Sequence, residues 1–140
     1  MKNLFFFKKN KKHFESIKLL VLDVDGVLTN GSIFLHPDGC ILKEFNVKDG
    51  LGIRLLQDAG IKVAFLSGGE GGSTEIRAKQ LGVQNCLVGI KDKSTGIKEL
   101  QADLNITKEE TMYIGDDLND LVVRPYVDFL VSTADACNEL

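Results

Sequence analysis

The stretch Lys18-Leu19-Leu20-Val21-Leu22-Asp23-Val24-Asp25-Gly26 contains the pattern that decides the fold. Residues 18–22 are predicted to form a strand, and their apolar run is typical of a strand covered on both faces, as in a parallel sheet. Two aspartates follow at a spacing of two, which places them on the same side of an extended chain. We therefore expect Asp23 and Asp25 to project into one site, where Gly26 turns the chain.

Apolar runs and helix-like stretches alternate over the rest of the chain, which indicates β-α-β units around a mainly parallel sheet. Further strands are predicted at 61–66, 86–88, 111–115 and 128–131, and helices at 49–59, 73–81, 94–104 and 117–123. Residues 33–45 are predicted to form a hairpin flap around a Pro-Asp-Gly turn. Thr107 and Glu110 have the spacing of a capping box, but we assign them to a loop because a strand follows at once. The prediction is a Rossmann-like, doubly wound α/β domain over 17–140, preceded by a basic tail over 1–16.

Length and composition limit the classes of protein that fit. The 140 residues, 44% apolar and 26% charged, are typical of one globular domain. The longest apolar run near the start, 4–7, is too short for a signal peptide or a membrane span, so no membrane partner is expected. Residues 1–18 carry a net +5 and the remainder −8. An acidic body argues against a nucleic-acid partner and is compatible with a cation site.

The three cysteines, Cys40, Cys86 and Cys137, are odd in number and far apart in the sequence. This pattern favours reduced thiols over a disulfide framework or a zinc cluster. A cytoplasmic location is the resulting expectation.

Polar residues at the carboxyl ends of the predicted strands form a chemically consistent set, because ligands of open parallel sheets bind at that edge. They are Asp23, Asp25, Ser67, Gly68, Lys91 to Lys93, Asp116 and Asp117. Carboxylate oxygens with no cysteine or histidine beside them suit Mg²⁺ and disfavour zinc. The hydroxyl of Ser67, the backbone N–H groups after it and the Lys93 ammonium suit a phosphate.

A carboxylate that approaches a phosphate at about 4 Å meets roughly 4 kcal/mol of repulsion per charge pair. A metal ion and a lysine would remove that barrier. The predicted chemistry is in-line attack of Asp23 on phosphorus to give an aspartyl-phosphate. Asp25 would protonate the leaving oxygen and later deprotonate water.

Each feature alone also has a structural explanation. An Asp-x-Asp pair at a strand end is common, a Gly-Asp-Asp stretch can be a turn with a helix cap, and Lys93 alone could be a solvated residue at a helix start. We assign His36 to the hairpin tip and Tyr113 to the core. Together, in this order at four strand ends, the features are hard to explain by structure alone.

The motifs resemble those of the haloacid dehalogenase superfamily of phosphohydrolases. The first is Asp23-Val24-Asp25-Gly26-Val27-Leu28-Thr29, the second Ser67-Gly68, the third Lys93, and the fourth Gly115-Asp116-Asp117-Leu118-Asn119-Asp120. More narrowly, residues 29–31, 45–53 and 77–83 are similar to the 3-deoxy-D-manno-octulosonate (KDO) 8-phosphate phosphatases and to relatives acting on sialic-acid-like 9-phosphates. The resemblance implies a Mg²⁺-dependent phosphomonoester hydrolase of a phosphorylated keto-deoxy sugar acid, in lipopolysaccharide or sialic acid biosynthesis.

The resemblance also implies roles for individual residues. Asp23 would be the nucleophile and Asp25 the acid/base, and Mg²⁺ would be held by Asp23, the Asp25 main-chain carbonyl and Asp116. The residues that would contact the substrate are Ser67, Gly68, Lys93 and Asn30. Asp117 and Asp120 would lie behind the metal ligands.

The segments between the motifs are too short for a cap domain. The resemblance therefore implies an open site in a homotetramer whose hairpins, 33–45, pack together and whose neighbouring subunits cover each site. Two departures bear on substrate capture. Gly69-Glu70 stands where relatives carry Arg-Lys, so a basic contact to the substrate carboxylate is missing and the identity of the sugar stays open. The sequence ends at Leu140, where relatives continue through a helix and a tail.

Two other functions fit parts of the sequence. A phospho-acceptor receiver domain also uses acids, a hydroxyl, a lysine and Mg²⁺. Its acceptor aspartate would end the middle strand, however, where this chain has Ser67. A non-catalytic oligomerisation module allied to a sugar-acid cytidylyltransferase is the second alternative, and an inactive tetramer would favour it.

Overall fold

The computed structural model describes residues 8–140. These residues contain the strands β1 (Leu19–Leu22), β2 (Phe34–Leu35), β3 (Ile41–Leu42), β4 (Lys62–Leu66), β5 (Asn85–Leu87), β6 (Thr111–Gly115) and β7 (Phe129–Ser132). Five of them form one sheet in the order β5-β4-β1-β6-β7, and every neighbouring pair in it is parallel. The predicted doubly wound α/β fold is confirmed.

The α-helices of the described chain are α1 (Lys11–Ser16), α2 (Val47–Asp58), α3 (Ser73–Gln80) and α4 (Lys93–Leu104). Two of them begin at side-chain caps, because the Asn46 side chain accepts from Lys48 N at 2.9 Å and the Asp92 side chain accepts from Ser94 N at 3.1 Å. Such caps satisfy amide groups that have no partner inside the first helical turn. The cap at Asp92 also fixes where Lys93 enters α4.

The central strand β1 is buried on both faces, as its continuous apolar sequence predicts. Leu19 and Val21 belong to a core cluster that includes Ile97 and Leu100 of α4. Leu20 and Leu22 belong to a second cluster, on the α2 and α3 side. The alternation of a strand sends successive side chains to opposite faces, so one apolar run supplies both cores.

Two short segments differ from the prediction. Residues Lys108–Glu110, expected as a loop, form a 3-10 turn with a capping box, in which Thr107 N donates to Glu110 Oε2 at 3.0 Å. The helix expected at 117–123 is a 3-10 helix over Leu118–Tyr126. It contains Pro125, whose ring and missing N–H disfavour an α-helical interior.

The hairpin is shorter than predicted. β2 and β3 pair antiparallel through two residues each, Phe34 with Leu42 and Leu35 with Ile41. It is the main insertion between β1 and α2, and no cap domain is present in the described chain. Its apolar side chains are exposed, with Leu35 at 77%.

The predicted tail over 1–16 is partly helical. Residues 1–7 lie outside the described residues, but α1 packs on the sheet edge through Phe14, whose ring stacks on Phe129 at 4.6 Å between centroids. His13 Nδ1 lies 3.0 Å from Asp128 Oδ2. The three cysteines are free thiols, as expected. None of the helices between residues 8 and 140 combines the length and apolarity needed to cross a bilayer.

Candidate active site

The end of β1 turns sharply beneath the site. Asp23 N still donates to Ile114 O at 2.9 Å, so Asp23 is held in line with β6. Gly26 follows with φ +90, a conformation that side chains rarely adopt. A Cβ at this position would overlap the carboxylate of Asp116. Only glycine therefore lets the β1 turn lie against the acidic end of β6.

A cavity of about 400 Å³ opens at the carboxyl edge of the sheet. Eight of the polar strand-end residues singled out from the sequence line it: Asp23, Asp25, Ser67, Gly68, Lys91, Lys93, Asp116 and Asp117. Gly69, Ile90 and Asn119 complete the lining. Segments from four places in the chain thus bring carboxylates, a hydroxyl and an ammonium group to one pocket.

Lys93 is buried and lies between two acids. Its Nζ is 2.6 Å from Asp120 Oδ1 and 3.0 Å from Asp23 Oδ2, and its side chain is 2% exposed. A buried lysine needs such partners, because an unpaired ammonium in the interior is costly. The solvated position that Lys93 alone would suggest is therefore wrong.

Asp120 organises the floor of the pocket from a fully buried position. Oδ1 accepts from Tyr113 OH at 2.6 Å and from Lys93, while Oδ2 accepts from Asp116 N at 2.9 Å and Asp117 N at 3.2 Å. Burial is the largest single influence and would raise the pKa of Asp120, but the hydrogen bonds from Lys93, Tyr113 and Asp116 N, together with the Lys93 charge, outweigh it and lower that pKa. The same network raises the pKa of Tyr113, through burial first and the Asp120 charge second. Tyr113 is in the core, as predicted, with its hydroxyl tied to the site.

Three carboxylates of the pocket lie close enough to repel one another. One carboxylate oxygen from each of Asp23, Asp116 and Asp120 lies within 4.8 Å of the other two. Burial raises the pKa of Asp23, and the attraction of Lys93 opposes that rise. Burial, followed by the charges of Asp23 and Asp120, raises the pKa of Asp116 to about 6. One lysine does not neutralise this cluster.

The free oxygens of the pocket fit a hard cation. Both oxygens of Asp120 are satisfied by protein donors, whereas Asp116 Oδ1 is buried without a hydrogen-bond partner among the described residues. The cysteines do not line the pocket. An all-oxygen donor set with excess negative charge is the kind that Mg²⁺ prefers.

Ser67 and the glycines after it form the second wall. Ser67 is buried, and its backbone is fixed by Ser67 N donating to Leu87 O at 2.9 Å and by Ile90 N donating to Ser67 O at 3.0 Å. Its Oγ accepts from Gly69 N at 3.1 Å. The end of β4 is therefore held rigidly by the chain that follows β5.

Two predicted residues lie at the margin of the site or outside it. Asp117 is exposed and caps the 3-10 helix, where its Oδ1 accepts from Leu118 N at 2.7 Å. Asn30 is exposed, its Oδ1 accepts from Ser32 N at 3.0 Å, and it lines a separate cavity with Glu44 and Phe45. The structure does not bring Asn30 to the acidic pocket, and its contact with substrate stays a prediction.

One residue of the site was missed by the sequence analysis. Lys43, which follows β3, places its Nζ 2.8 Å from Asp25 Oδ2, and its side chain is 3% exposed. No short-range pattern marks this lysine, because it reaches Asp25 only through the folding of the hairpin onto the sheet.

A parallel sheet with this acidic carboxyl edge, the Gly26 turn and the buried lysine defines the class of haloacid dehalogenase-like hydrolases. Over residues 88–139 the chain matches the family model described by that name. The KDO 8-phosphate phosphatase of Haemophilus influenzae is 43% identical over 107 residues, which are 76% of this chain and 59% of that protein.

Solved structures extend this likeness over most of the chain. The KDO 8-phosphate phosphatase from Yersinia pestis matches with a TM-score of 0.89 at 41% identity, covering 92% of this chain and 70% of that chain. The phosphatase from Moraxella catarrhalis, in complex with magnesium, phosphate and KDO, matches with a TM-score of 0.85 at 36% identity, covering 92% and 75%. The chain belongs to the KDO 8-phosphate phosphatase family.

Proposed function

We propose that this chain is a Mg²⁺-dependent phosphatase that hydrolyses the phosphate ester of a keto-deoxy sugar acid, with KDO 8-phosphate as the first substrate to test. The observation that carries the proposal is the meeting of Asp23, Asp116 and Lys93 in one cavity at the sheet edge. The related phosphatases that carry this substrate in their names support the choice of sugar.

Asp23 is the proposed nucleophile. Its Oδ2 is held by Lys93 at 3.0 Å, so the carboxylate is fixed before a substrate arrives. A carboxylate oxygen of Asp23 forms a bond to phosphorus while the bond from phosphorus to the sugar oxygen breaks, giving an aspartyl-phosphate. Water then attacks phosphorus, the bond to Asp23 breaks, and phosphate leaves.

Asp25 is the proposed acid/base. It gives a proton to the departing sugar oxygen in the first step and takes a proton from the attacking water in the second. Its place two residues after Asp23, beyond the end of β1, puts both carboxyl groups in the same cavity. One side chain can therefore serve both proton transfers.

The phosphoryl oxygens need positive partners. Lys93, the Ser67 hydroxyl and the backbone N–H of Gly68 are the proposed ones, because all three residues line the same cavity as the acids. Asp23, the main-chain carbonyl of Asp25 and Asp116 would hold Mg²⁺, which when bound neutralises charge on the phosphate and lowers the repulsion with Asp23. Asp120 and Asp117 would keep these groups in place.

A homotetramer and a cytoplasmic location are further parts of the proposal. Exposed apolar side chains on the hairpin and on α2, among them Phe34, Leu35, Leu42 and Val47, support packing against other copies. The free thiols support a reducing compartment. Light scattering after size-exclusion chromatography gives the oligomeric state, and a monomer at micromolar concentration would contradict the tetramer.

The function is tested by phosphate release from a panel of sugar phosphates with and without Mg²⁺. We expect turnover of KDO 8-phosphate or a nonulosonate 9-phosphate that needs Mg²⁺ and is lost in Asp23→Asn. Asp103→Asn, an exposed acid on α4, is the matched control and should keep full activity. An inactive but folded tetramer would favour the oligomerisation module, and a preference for hexose phosphates would contradict the proposed sugar.

A further inference from the structure

Lys43 is a buried cation that the mechanism above does not use. It directly follows β3, and its side chain is 3% exposed although the hairpin around it is open to solvent. Its Nζ makes an ion pair with Asp25 Oδ2 at 2.8 Å and donates to Thr74 Oγ1 at 3.2 Å. Burying a lysine costs free energy unless its charge is paired, so this placement depends on Asp25.

The strand β3, which ends just before Lys43, contacts the start of α3. Ser73 Oγ donates to Ile41 O at 2.7 Å, and the next residue, Thr74, is fully buried and accepts from Lys43. Two successive residues of α3 therefore hold two positions of the hairpin. This anchorage fixes the direction from which Lys43 approaches Asp25.

The contact with Lys43 gives the two carboxylate oxygens of Asp25 different hydrogen-bonding environments. Oδ2 is taken by Lys43, while Oδ1 is buried and has no hydrogen-bond partner among residues 8–140. Gly69 lies beside this ion pair, because a Cβ there would lie 3.2 Å from Asp25 Oδ2 and 3.6 Å from Lys43 Nζ. The absence of a side chain at this position leaves room for the contact between the lysine and the carboxylate.

We propose that Lys43 is a positioning residue, which holds Asp25 through Oδ2 in the orientation needed for its two proton transfers. This inference rests on the proposed function. The Asp25 carboxyl group passes its proton to the departing sugar oxygen as the bond from that oxygen to phosphorus breaks, and receives a proton from the water that attacks phosphorus. The hairpin thereby contributes to the chemistry although none of its residues lines the acidic cavity.

Stability and activity should respond differently to the loss of this lysine. Replacing Lys43 by methionine leaves Asp25 in contact with solvent, because the Asp25 side chain is 31% exposed, and the methionine fills the space of the lysine stem. The fold should survive, while the Asp25 carboxyl group gains rotational freedom. Small misplacements of a catalytic group cost up to about 100-fold in rate.

The experiment compares Lys43→Met, Lys43→Arg and a matched control, Lys62→Met, whose exposed lysine begins β4 at the opposite end of the sheet. With KDO 8-phosphate and saturating Mg²⁺ we expect kcat of Lys43→Met to fall about 10- to 100-fold with KM within about threefold of wild type. Lys43→Arg should recover most of kcat, and Lys62→Met should match wild type.

A second readout separates positioning from misfolding. The first turnover of p-nitrophenyl phosphate releases nitrophenolate, which leaves without a proton, so its burst should stay within about threefold of wild type in Lys43→Met. Equal loss of the burst and of KDO 8-phosphate turnover would indicate a general structural defect and overturn the inference. Wild-type kcat in Lys43→Met would overturn it as well. An inactive wild-type chain would overturn the proposed function and this inference with it.

Discussion

Replacement of Asp120 by asparagine tests the buried network that supports the site. The substitution keeps the size of the side chain, so it creates no cavity, but it removes one charge and one acceptor. The amide carbonyl can still accept from Lys93 and Tyr113, which now donate to Oδ1 at 2.6 Å each. The amide NH₂ then faces the N–H groups of Asp116 and Asp117. Because all of these groups are hydrogen-bond donors, the two backbone N–H groups lose their acceptor.

The loss of stability follows from these contacts. A buried donor without a partner costs about 1–3 kcal/mol, and the part-buried N–H groups of Asp116 and Asp117 both lose their acceptor. Lys93 keeps Asp23 as an ionic partner at 3.0 Å, which limits the further cost of the lost charge. We expect the free energy of unfolding to fall by about 3–4 kcal/mol, out of about 5–15 kcal/mol for a domain of this kind.

Urea denaturation of the metal-free protein, followed by circular dichroism, measures this change. Asp103→Asn is the control, because an exposed acid without a network should change stability by less than about 0.5 kcal/mol. A loss of less than about 1 kcal/mol in Asp120→Asn would refute the assignment of Asp120 as the acceptor of four hydrogen bonds.

Three further predictions concern the metal site and the sheet edge. Gly26→Ala should abolish the rise in Tm on adding Mg²⁺, because its Cβ would overlap the Asp116 carboxylate; an unchanged rise would contradict the turn geometry. The pKa of Asp116 is raised from 3.8 to about 6, so its contribution to metal-free stability is full at low pH and is lost as pH rises through about 6. Because Mg²⁺ needs the carboxylate, its stabilising effect measured by calorimetry should be large at about pH 7.5 and small at about pH 5; equal effects would refute the raised pKa. Phe14→Ala should lower the free energy of unfolding by about 1 kcal/mol through loss of the ring stack on Phe129, with activity unchanged, and a loss of activity would contradict a purely structural role for α1.

The sequence predicts the sheet well because its signals are local. The strand β1 contributes side chains to the core clusters on both faces of the sheet, so every residue of it must be apolar. Such a continuous apolar run is recognisable in the sequence alone. The acids and the lysine lie at strand ends or helix starts, and the parallel topology alone brings such positions to one edge. The convergence of Asp23, Lys93 and Asp116 could therefore be anticipated from their order.

Features that depend on distant packing could not be anticipated. Lys43 reaches Asp25 only because the hairpin folds back onto α3, and no residue spacing encodes that contact. The burial of Lys93 depends on Asp120, 27 residues further along the chain. Asn30 lies close to the first motif in sequence, yet the chain after the Gly26 turn carries it to a different cavity.

The central claim is that Asp23 attacks phosphorus in this pocket, and trapping the covalent intermediate tests it most directly. During turnover of KDO 8-phosphate with Mg²⁺, borohydride reduction of an aspartyl-phosphate converts the aspartate to homoserine, which mass spectrometry locates by residue. The account predicts homoserine at position 23, only with substrate and Mg²⁺ present. Phosphate release without modification at this position, or with modification of another acid, would contradict it.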